Sequence, residues 1–566
     1  MYLSFRVHAS KVSFRTYVRN LKNKKDSSHA FGGLERVTCK VMTPKVSIAQ
    51  NFNLFLWRME MDLRKNVTVK RLIGLFICMA TGLIFLTAPV AADAQDFKES
   101  ISPFPPAVEG WTPIVESMKF SEDYNHMAYV AKREKSVAVV LDGKVGPAYD
   151  AIGQDTPVFS PDSKRMAYKA KKGGVWRLVV DGKEMPPYDA VSPPRFSRKD
   201  STRMVYVGQK GTKQCLVGDG RDIGCYDGIA KDFYGFSRKG TRWAAVVNKN
   251  KKQVVIVDGK EGTAYDTVTP PLFSHDDRRV AHTANRSGKW MIVADGKEGP
   301  AHDATGVFLF SPDSQQLYYA FKKDNKWRMM IDGKEGTIAH DGLGIPVFSP
   351  NGKRMSQTGL RGKKWFMIID GREEAEWDEI FVLTYSPDSK RVAYNTRKGE
   401  KQRFMVVDGK AYGPYDVASM PVFSADSQHV AFAARRGSQW FVVMDGREEK
   451  PYTTATTPLF SPDGRHVSYV VQKGGSWYLV TDGKEGPAFS EVANPAWSPN
   501  SQHVAYMIKK GGAWNVCVDG KTAPTAFQGF LKGSILDFIG PNRLRALAVR
   551  QGKVGTEFIK YELDIR

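Results

Sequence analysis

The chain has 566 residues, 42% of them hydrophobic and 25% charged, which excludes a largely disordered polymer and leaves room for several domains or one large repeat array. Its net charge of +23 is unevenly divided: residues 1–94 hold fifteen Lys/Arg against five Asp/Glu, and the remainder holds 68 basic against 55 acidic residues. The surplus beyond residue 94 is too moderate to mark a nucleic-acid binder, and the 51 glycines and 30 prolines suit an all-β chain with many tight turns.

In chain order, residues 1–58 come first, basic and without sustained hydrophobic periodicity, and read as a spurious or disordered extension. Met59 and Met61 each offer a start of ordinary length for the next segment. Residues 59–94 contain Arg64, Lys65, Lys70 and Arg71, then the uncharged run LIGLFICMATGLIFL (72–86), then Ala92-Asp93-Ala94. A basic stretch, an apolar stretch and a small-x-small site in that order describe a secretory signal, cleaved near Ala94. A retained single-span anchor is the alternative. The expected address is periplasmic or secreted, with membrane contact only through an uncleaved anchor.

From residue 111 onward the chain repeats itself. Aromatic-Ser pairs begin at Phe120, Phe159, Phe196, Phe236, Phe273, Phe310, Phe348, Tyr385, Phe423, Phe460 and Trp497. An Asp-Gly pair follows each one, from Asp142 to Asp519, and both series step by 37 to 40 residues. A degenerate twelfth unit places Phe538-Ile539-Gly540-Pro541-Asn542 where FSPDS stands elsewhere. Each unit reads as four strands. In 157–191, PVFS is followed by a Pro-Asp-Ser turn, RMAYKA by a KKGG turn, and VWRLVV by Asp181-Gly182, whose residues suit the positive φ angles of a type I′ hairpin; PYDAV closes the unit. Four short antiparallel strands of this size make one propeller blade, which must stack on neighbours to bury both faces.

FSPDSKR-(V/M)-A-Y, at 159–168 and 385–394, resembles the WD-repeat-like propeller repeat of TolB-type periplasmic proteins and of the propellers of prolyl-oligopeptidase relatives. The resemblance covers residues 111–566. It implies an all-β β-propeller with the fourth strand of each blade outermost. The VVDGKEGPAYDAV hairpin departs from the general pattern and sets this chain apart from TolB and its partners.

Twelve four-stranded blades exceed the usual ring, so two six-bladed rings in tandem, at 111–340 and 341–566, are the simplest division. WTPIVESM (111–118) aligns with a fourth strand, and the twelfth unit lacks one. Seven plus five blades, or one oversized ring, are the other divisions.

No G-x-S-x-G, H-E-x-x-H or paired Cys-x-x-Cys motif is present, and neither an enzyme nor a cofactor is expected. The recurrent Asp150, Asp189, Asp227, Asp266, Asp303, Asp378 and Asp416 read as strand-end residues bonding nearby backbone rather than as a metal ring. Trp176, Trp290, Trp327, Trp365, Trp440, Trp477 and Trp514 read as packing between blades rather than as a sugar-binding array. The turns between second and third strands carry Lys171, Lys172, Lys251, Lys252, Lys322, Lys323, Lys363, Lys364, Arg397, Lys398, Arg435, Arg436, Lys509 and Lys510. Alternate turns of a meander share a face, so these cations gather on one side, as solvated turns or as a docking face for an acidic protein, an anionic envelope polymer or anionic lipid headgroups. Cys215 and Cys225 flank Asp219-Gly220 symmetrically. A three-residue loop, Asp219-Gly220-Arg221, would set them opposite one another as a disulfide or as two buried thiols, whereas a two-residue loop would shift the register by one. Cys517 has no comparable partner. The expected function is a non-catalytic binding or scaffold propeller of the cell envelope. A lectin-like or small-molecule-binding propeller is the second reading and an unrecognised propeller enzyme the third.

Overall fold

The computed structural model describes residues 97–566 except 106, 200, 532, 553 and 554, together with the side chain of 232 excluded. The extension at 1–58 and the signal at 59–94 lie outside the described residues. The described chain is all β: twelve antiparallel sheets follow one another in sequence order, each built from a succession of neighbouring strands. Blades 1–4 span 112–145, 151–184, 190–226 and 228–265; blades 5–8 span 267–298, 304–335, 342–377 and 379–415; blades 9–12 span 417–448, 454–485, 491–522 and 529–565.

The local chemistry is as the repeat dictates. All eleven Asp-Gly pairs have both residues at positive φ, for example 50° at Asp181 and 79° at Gly182, the conformation of a type I′ turn. In every one of those blades the Asp also reaches back across the hairpin: an Oδ1 accepts the backbone N–H that opens the second strand, at 2.8–3.2 Å. In ten of these blades its Oδ2 also meets the Arg or His that closes the first turn, and that charged partner favours Asp over Asn or Gly. The apolar second and third strands are buried on both faces, and the core lies in the seams. One cluster joins Ala128 and Val139 of blade 1 to Met166, Tyr168 and Val179 of blade 2. Another joins Ala281 and Ile292 of blade 5 to Phe310, Leu317, Phe321 and Met330 of blade 6. At about 1.5–3 kcal/mol for each large side chain buried, these seams are the main source of stability.

The seams run without a break around one ring, which corrects the expected division into rings at 111–340 and 341–566. Blades 6 and 7 meet as other neighbours do: the Tyr318 and Phe348 rings lie 4.7 Å apart, and His340 Nε2 stands 2.9 Å from Glu373 Oε1. Blade 12 in turn packs on blade 1. Arg545 donates to the carbonyls of Asp123 and Glu122 at 2.8 and 3.3 Å, its guanidinium lies over the Tyr124 ring, and Phe120 and Phe558 are in ring contact at 5.9 Å. Of the divisions open to the sequence, the packing selects the single ring.

Closure is by a strand from the other end of the chain, though not the expected one. Thr112–Phe120 is the first strand of blade 1, not a fourth strand. The outer strand that blade 12 lacks is Phe97–Pro103, paired antiparallel with Gly555–Ile565 from Phe97↔Ile565 to Pro103↔Ile559. Phe97 and Ile101 turn into the core of blades 11 and 12, and Glu99 on the same face accepts from the Tyr561 hydroxyl at 2.7 Å and from Thr525 N–H at 3.1 Å. FKESISP has little to mark it as a strand. Only its partner gives its alternation a meaning.

Candidate functional site: the inner wall of the ring

Most of the recurrent polar residues hold blades together. In six Asp-Gly blades an Arg closes the SPDS-type turn, and Arg165 is representative. Its Nε donates to Asp181 of its own blade at 2.8 Å, its Nη1 to the carbonyls of Ser201 and Thr202 of the next blade at 3.1 and 3.0 Å, and its guanidinium covers Phe196 at 5.4 Å. Arg203, Arg242, Arg279, Arg354 and Arg391 repeat the clip. On the outer strands, Tyr149, Tyr188, Tyr226, Tyr265 and Tyr452 each donate to a carboxylate of the following blade, at 2.7–3.2 Å. Burial, reinforced by that carboxylate, pushes the hydroxyls of Tyr226 and Tyr265 up to about 12.

The recurrent strand-end aspartates have the same kind of work. Asp150, Asp189, Asp227, Asp266, Asp378 and Asp416 accept from backbone N–H groups of the next blade's second-to-third turn at 2.6–2.9 Å, while Asp303 pairs with Lys289 at 2.8 Å. The tryptophans sit half-buried in the seams; Trp440 of blade 9 packs with Tyr469 and Val471 of blade 10.

The basic face is placed where the sequence puts it, on the turns between second and third strands, but much of its charge is matched there. Lys323 pairs with Glu335 at 3.3 Å, Lys364 with Asp378 at 2.7 Å, Arg397 with Glu379 at 2.9 Å, Arg436 with Glu448 at 2.6 Å and Lys509 with Glu491 at 4.0 Å, and Lys252 pairs with Asp266. Lys171 and Arg435 lie 6.0 Å over Trp176 and Trp440. Lys172, Lys251, Lys322, Lys363, Lys398 and Lys510 have no ion pair among the described residues. The face is a mosaic of ion pairs with lysines between them, not a continuous cationic field.

Cys215 and Cys225 are directly opposite on paired strands and their sulfurs are bonded. The register is reached by a route other than the three-residue loop. Gly218 pairs with Arg221, so the loop has two residues, and a bulge between Leu216/Val217 and Gly224/Asp222 restores the opposition that the short loop alone would destroy. The same bulge follows the Asp-Gly turn in blades 4, 7 and 8. Burial raises the free Cys517 thiol to about 11.

What the clips leave over is the inner wall. First strands of blades 1 and 2, 3 and 4, 7 and 8, 9 and 10, and 11 and 12 come within 8 Å of one another, so the sheets converge there and the first strands line the axis. Of eleven exposed large hydrophobic residues in the described chain, nine lie in first-strand segments, which makes the pattern positional rather than scattered. Val307, Ile345, Met420 and Ile535 all stand three residues before the aromatic of the blade, and are 47, 61, 49 and 56% exposed. Val115 on blade 1 is 59% exposed. The charges of the wall are sectored. Glu116, Lys119, Asp155, Arg195 and Lys231 fall on blades 1–4. The first-strand segments of blades 5–11 hold only Glu379 and Glu491, each at the rim and each paired, with Arg397 and Lys509. The sequence showed that most units offer Val, Leu or Phe near these positions, but one blade cannot tell an apolar residue facing its neighbour from one facing the axis.

No family model matches the chain, and no curated protein matches it. Among solved structures, a crystal structure of a eukaryotic initiation factor is 12% identical, covering 64% of this chain and 96% of its own, with a TM-score of 0.30. TolB from Acinetobacter baumannii is 15% identical over 47% of this chain and 75% of its own, TM-score 0.21. The β-propeller domain of the Trilobed protease from Pyrococcus furiosus is 15% identical over 53% of this chain and 96% of its own, TM-score 0.24. This chain, too, is a β-propeller.

Proposed function

We propose that this protein is a non-catalytic binding scaffold, exported to the cell envelope, whose binding surface is the inner wall of the ring. The observation that carries the reading is the division of labour in the repeat. Its Arg, Asp, Ser and Tyr side chains are engaged in clipping blades together, while exposed aliphatic side chains gather along the axis, where the fold itself has no use for them. Exposed apolar surface grouped in a concave site is the usual mark of a partner. The basic face is the weaker candidate, because paired rim charges contribute little affinity.

The test is photo-crosslinking in the producing cell, with the full chain carrying a benzophenone side chain at Ile345 or Met420 and, for comparison, at Lys363 or Lys510 on the turn face. Adducts at the inner positions, recovered in the periplasmic or secreted fraction, are the expected result. Adducts confined to the turn positions, or none at the inner ones, overturn the assignment.

A further inference from the structure

The sectored charge of the wall narrows what can occupy it, and this step rests on the inner wall being the binding surface. With neighbouring sheets about 8–10 Å apart at their inner edges, twelve blades enclose an opening of about 30–40 Å between backbones, or about 20–30 Å once side chains are counted. That is too narrow for a folded domain to enter. It is wide enough for one helix, which with its side chains is about 10–12 Å across.

An extended strand is poorly served here. The first strands of blades 2, 3, 5, 7, 9, 10 and 12 are each broken into two short pieces, by Pro157, Pro193-Pro194, Pro270-Pro271, Pro346, Pro421 and Pro458 among others. A broken edge offers no continuous ladder for an added strand. A helix satisfies its own backbone and needs only side-chain surface. The arc of blades 6–9 supplies that surface: Val307, Ile345 and Met420 share one register position on three of those blades, with the half-buried Val382 at the same position on the fourth. Half a turn of the ring away lie blades 12, 1, 2 and 3, where the exposed aliphatics Ile114, Val115, Ile535 and Ile539 are interspersed with Glu116, Lys119, Asp155 and Arg195, charges of both signs that the arc lacks.

We infer that the channel receives an amphipathic helix of a partner protein, its apolar face on the arc of blades 6–9 and its polar face toward the charged sector of blades 1–3. The fit is one of charge pattern as well as width. A helix apolar all round would leave apolar surface facing ions and water, and a helix charged all round would bury charge against an uncharged wall.

The probe is a labelled 18-residue Leu/Lys/Glu peptide with its leucines on one helical face, titrated by fluorescence anisotropy against the full-length protein. Two controls accompany it: a peptide of the same composition with the leucines scrambled around the helix, and the protein variant V307N/I345N/M420N. Because these side chains are already exposed, the variant should fold as the parent does, which circular dichroism and the thermal midpoint check. The expected result is binding by the patterned peptide, at least tenfold weaker binding by the scrambled one, and at least tenfold loss in the variant. Equal binding of the two peptides, undiminished binding by the folded variant, or no binding by the patterned peptide overturns the helix. In each case crosslinks at Ile345 would leave the inner wall standing as the site and dismiss only this occupant. Should the Asn variant fail to fold, I345S alone provides the same comparison.

Discussion

Two kinds of seam make up eleven of the twelve in the ring, and they differ in one residue; blade 6, with Gln316 at that point, is of neither kind. Blades 2–5, 7, 8 and 12 end their first turn with an Arg that reaches the next blade's carbonyls. Blades 1, 9, 10 and 11 have His126, His429, His466 and His503 at that point. Each imidazole meets the Asp of its own hairpin at 2.7–2.8 Å, as the Arg does, and His126 and His466 lie over Phe159 and Trp497 of the next blade. The ring is too short to go further and donate to the next blade's turn. Two clefts lie at seams of the His kind: one of about 440 Å³ between blades 10 and 11, bordered by His466, Asp482, Trp497 and Asp519, and one of about 220 Å³ between blades 9 and 10. The same fold therefore has seams that a side chain crosses by hydrogen bonds and seams that it crosses only by ring contact, and side-chain reach is the difference.

The largest effect should come from removing an Arg. In R354A, Asp370 loses its charged partner, the carbonyls of Ser389 and Lys390 lose a donor, and the Tyr385 ring is uncovered. A loss of about 2–3 kcal/mol is expected, against about 1 kcal/mol for H466A, whose partner Asp482 is already half open to water. Urea denaturation of the two variants side by side, together with hydrogen exchange of the flanking strands, measures both. Equal losses would break the distinction between the two seams.

The converse substitution should have a smaller effect of opposite sign. H466R gives blade 10 a side chain long enough to reach the turn at Ser501-Gln502 of blade 11, and a gain of about 1 kcal/mol is expected, with slower exchange of amides at that seam. A destabilised H466R would mean that the cleft is set by backbone spacing rather than by side-chain length.

The smallest effect per residue concerns the turn carboxylates that both kinds of seam share. Hydrogen bonds from Ser274, Ser386, Ser424 and Ser461 hold Asp276, Asp388, Asp426 and Asp463 below the usual carboxylate range. Asp123, despite the opposing push of burial, is held at about 2 by Ser121, Asn125 and Ser163. A folded-state value below the unfolded one gives stability that is present above about pH 4 and is lost as pH falls through the folded value. Stability should therefore decline between about pH 4 and 2, and because these aspartates lie on both sides of the ring, exchange rates at Arg and His seams should rise together over that interval. An S424A variant, whose Asp426 returns toward the ordinary carboxylate range, should show a smaller acid-dependent loss at blade 9, complete at higher pH. Loosening confined to one kind of seam would break the shared role of the turn carboxylates.

How legible the molecule was in its sequence follows the same line between local and assembled structure. Blade number, strand order within a blade and the type I′ hairpins were readable, because each depends on residues within about 40 positions of one another: an aromatic-Ser pair, a Pro-Asp-Ser turn and Asp-Gly at fixed offsets. The aspartates and tryptophans read as structural are found bonding backbone and filling seams. The inner-wall aliphatics were visible as residues but not as a surface, since their exposure depends on which edge of the blade faces the axis.

A repeat of twelve four-stranded units and the type I′ Asp-Gly hairpins are written in the sequence, because these are near-neighbour preferences of φ, hydrogen bonding and side-chain alternation. Tertiary structure alone decided the rest. The small rotation at each seam accumulates over twelve blades, so whether the chain closes once or twice is set by contacts such as Arg545 on Asp123, between residues more than 400 positions apart. The polar Phe97–Pro103 segment becomes a strand only because Gly555–Ile565 offers it an edge, and a one-residue bulge, not the loop length, brings Cys215 opposite Cys225. The basic turns, too, become a mosaic of ion pairs only when the acids of the neighbouring outer strands are folded beside them.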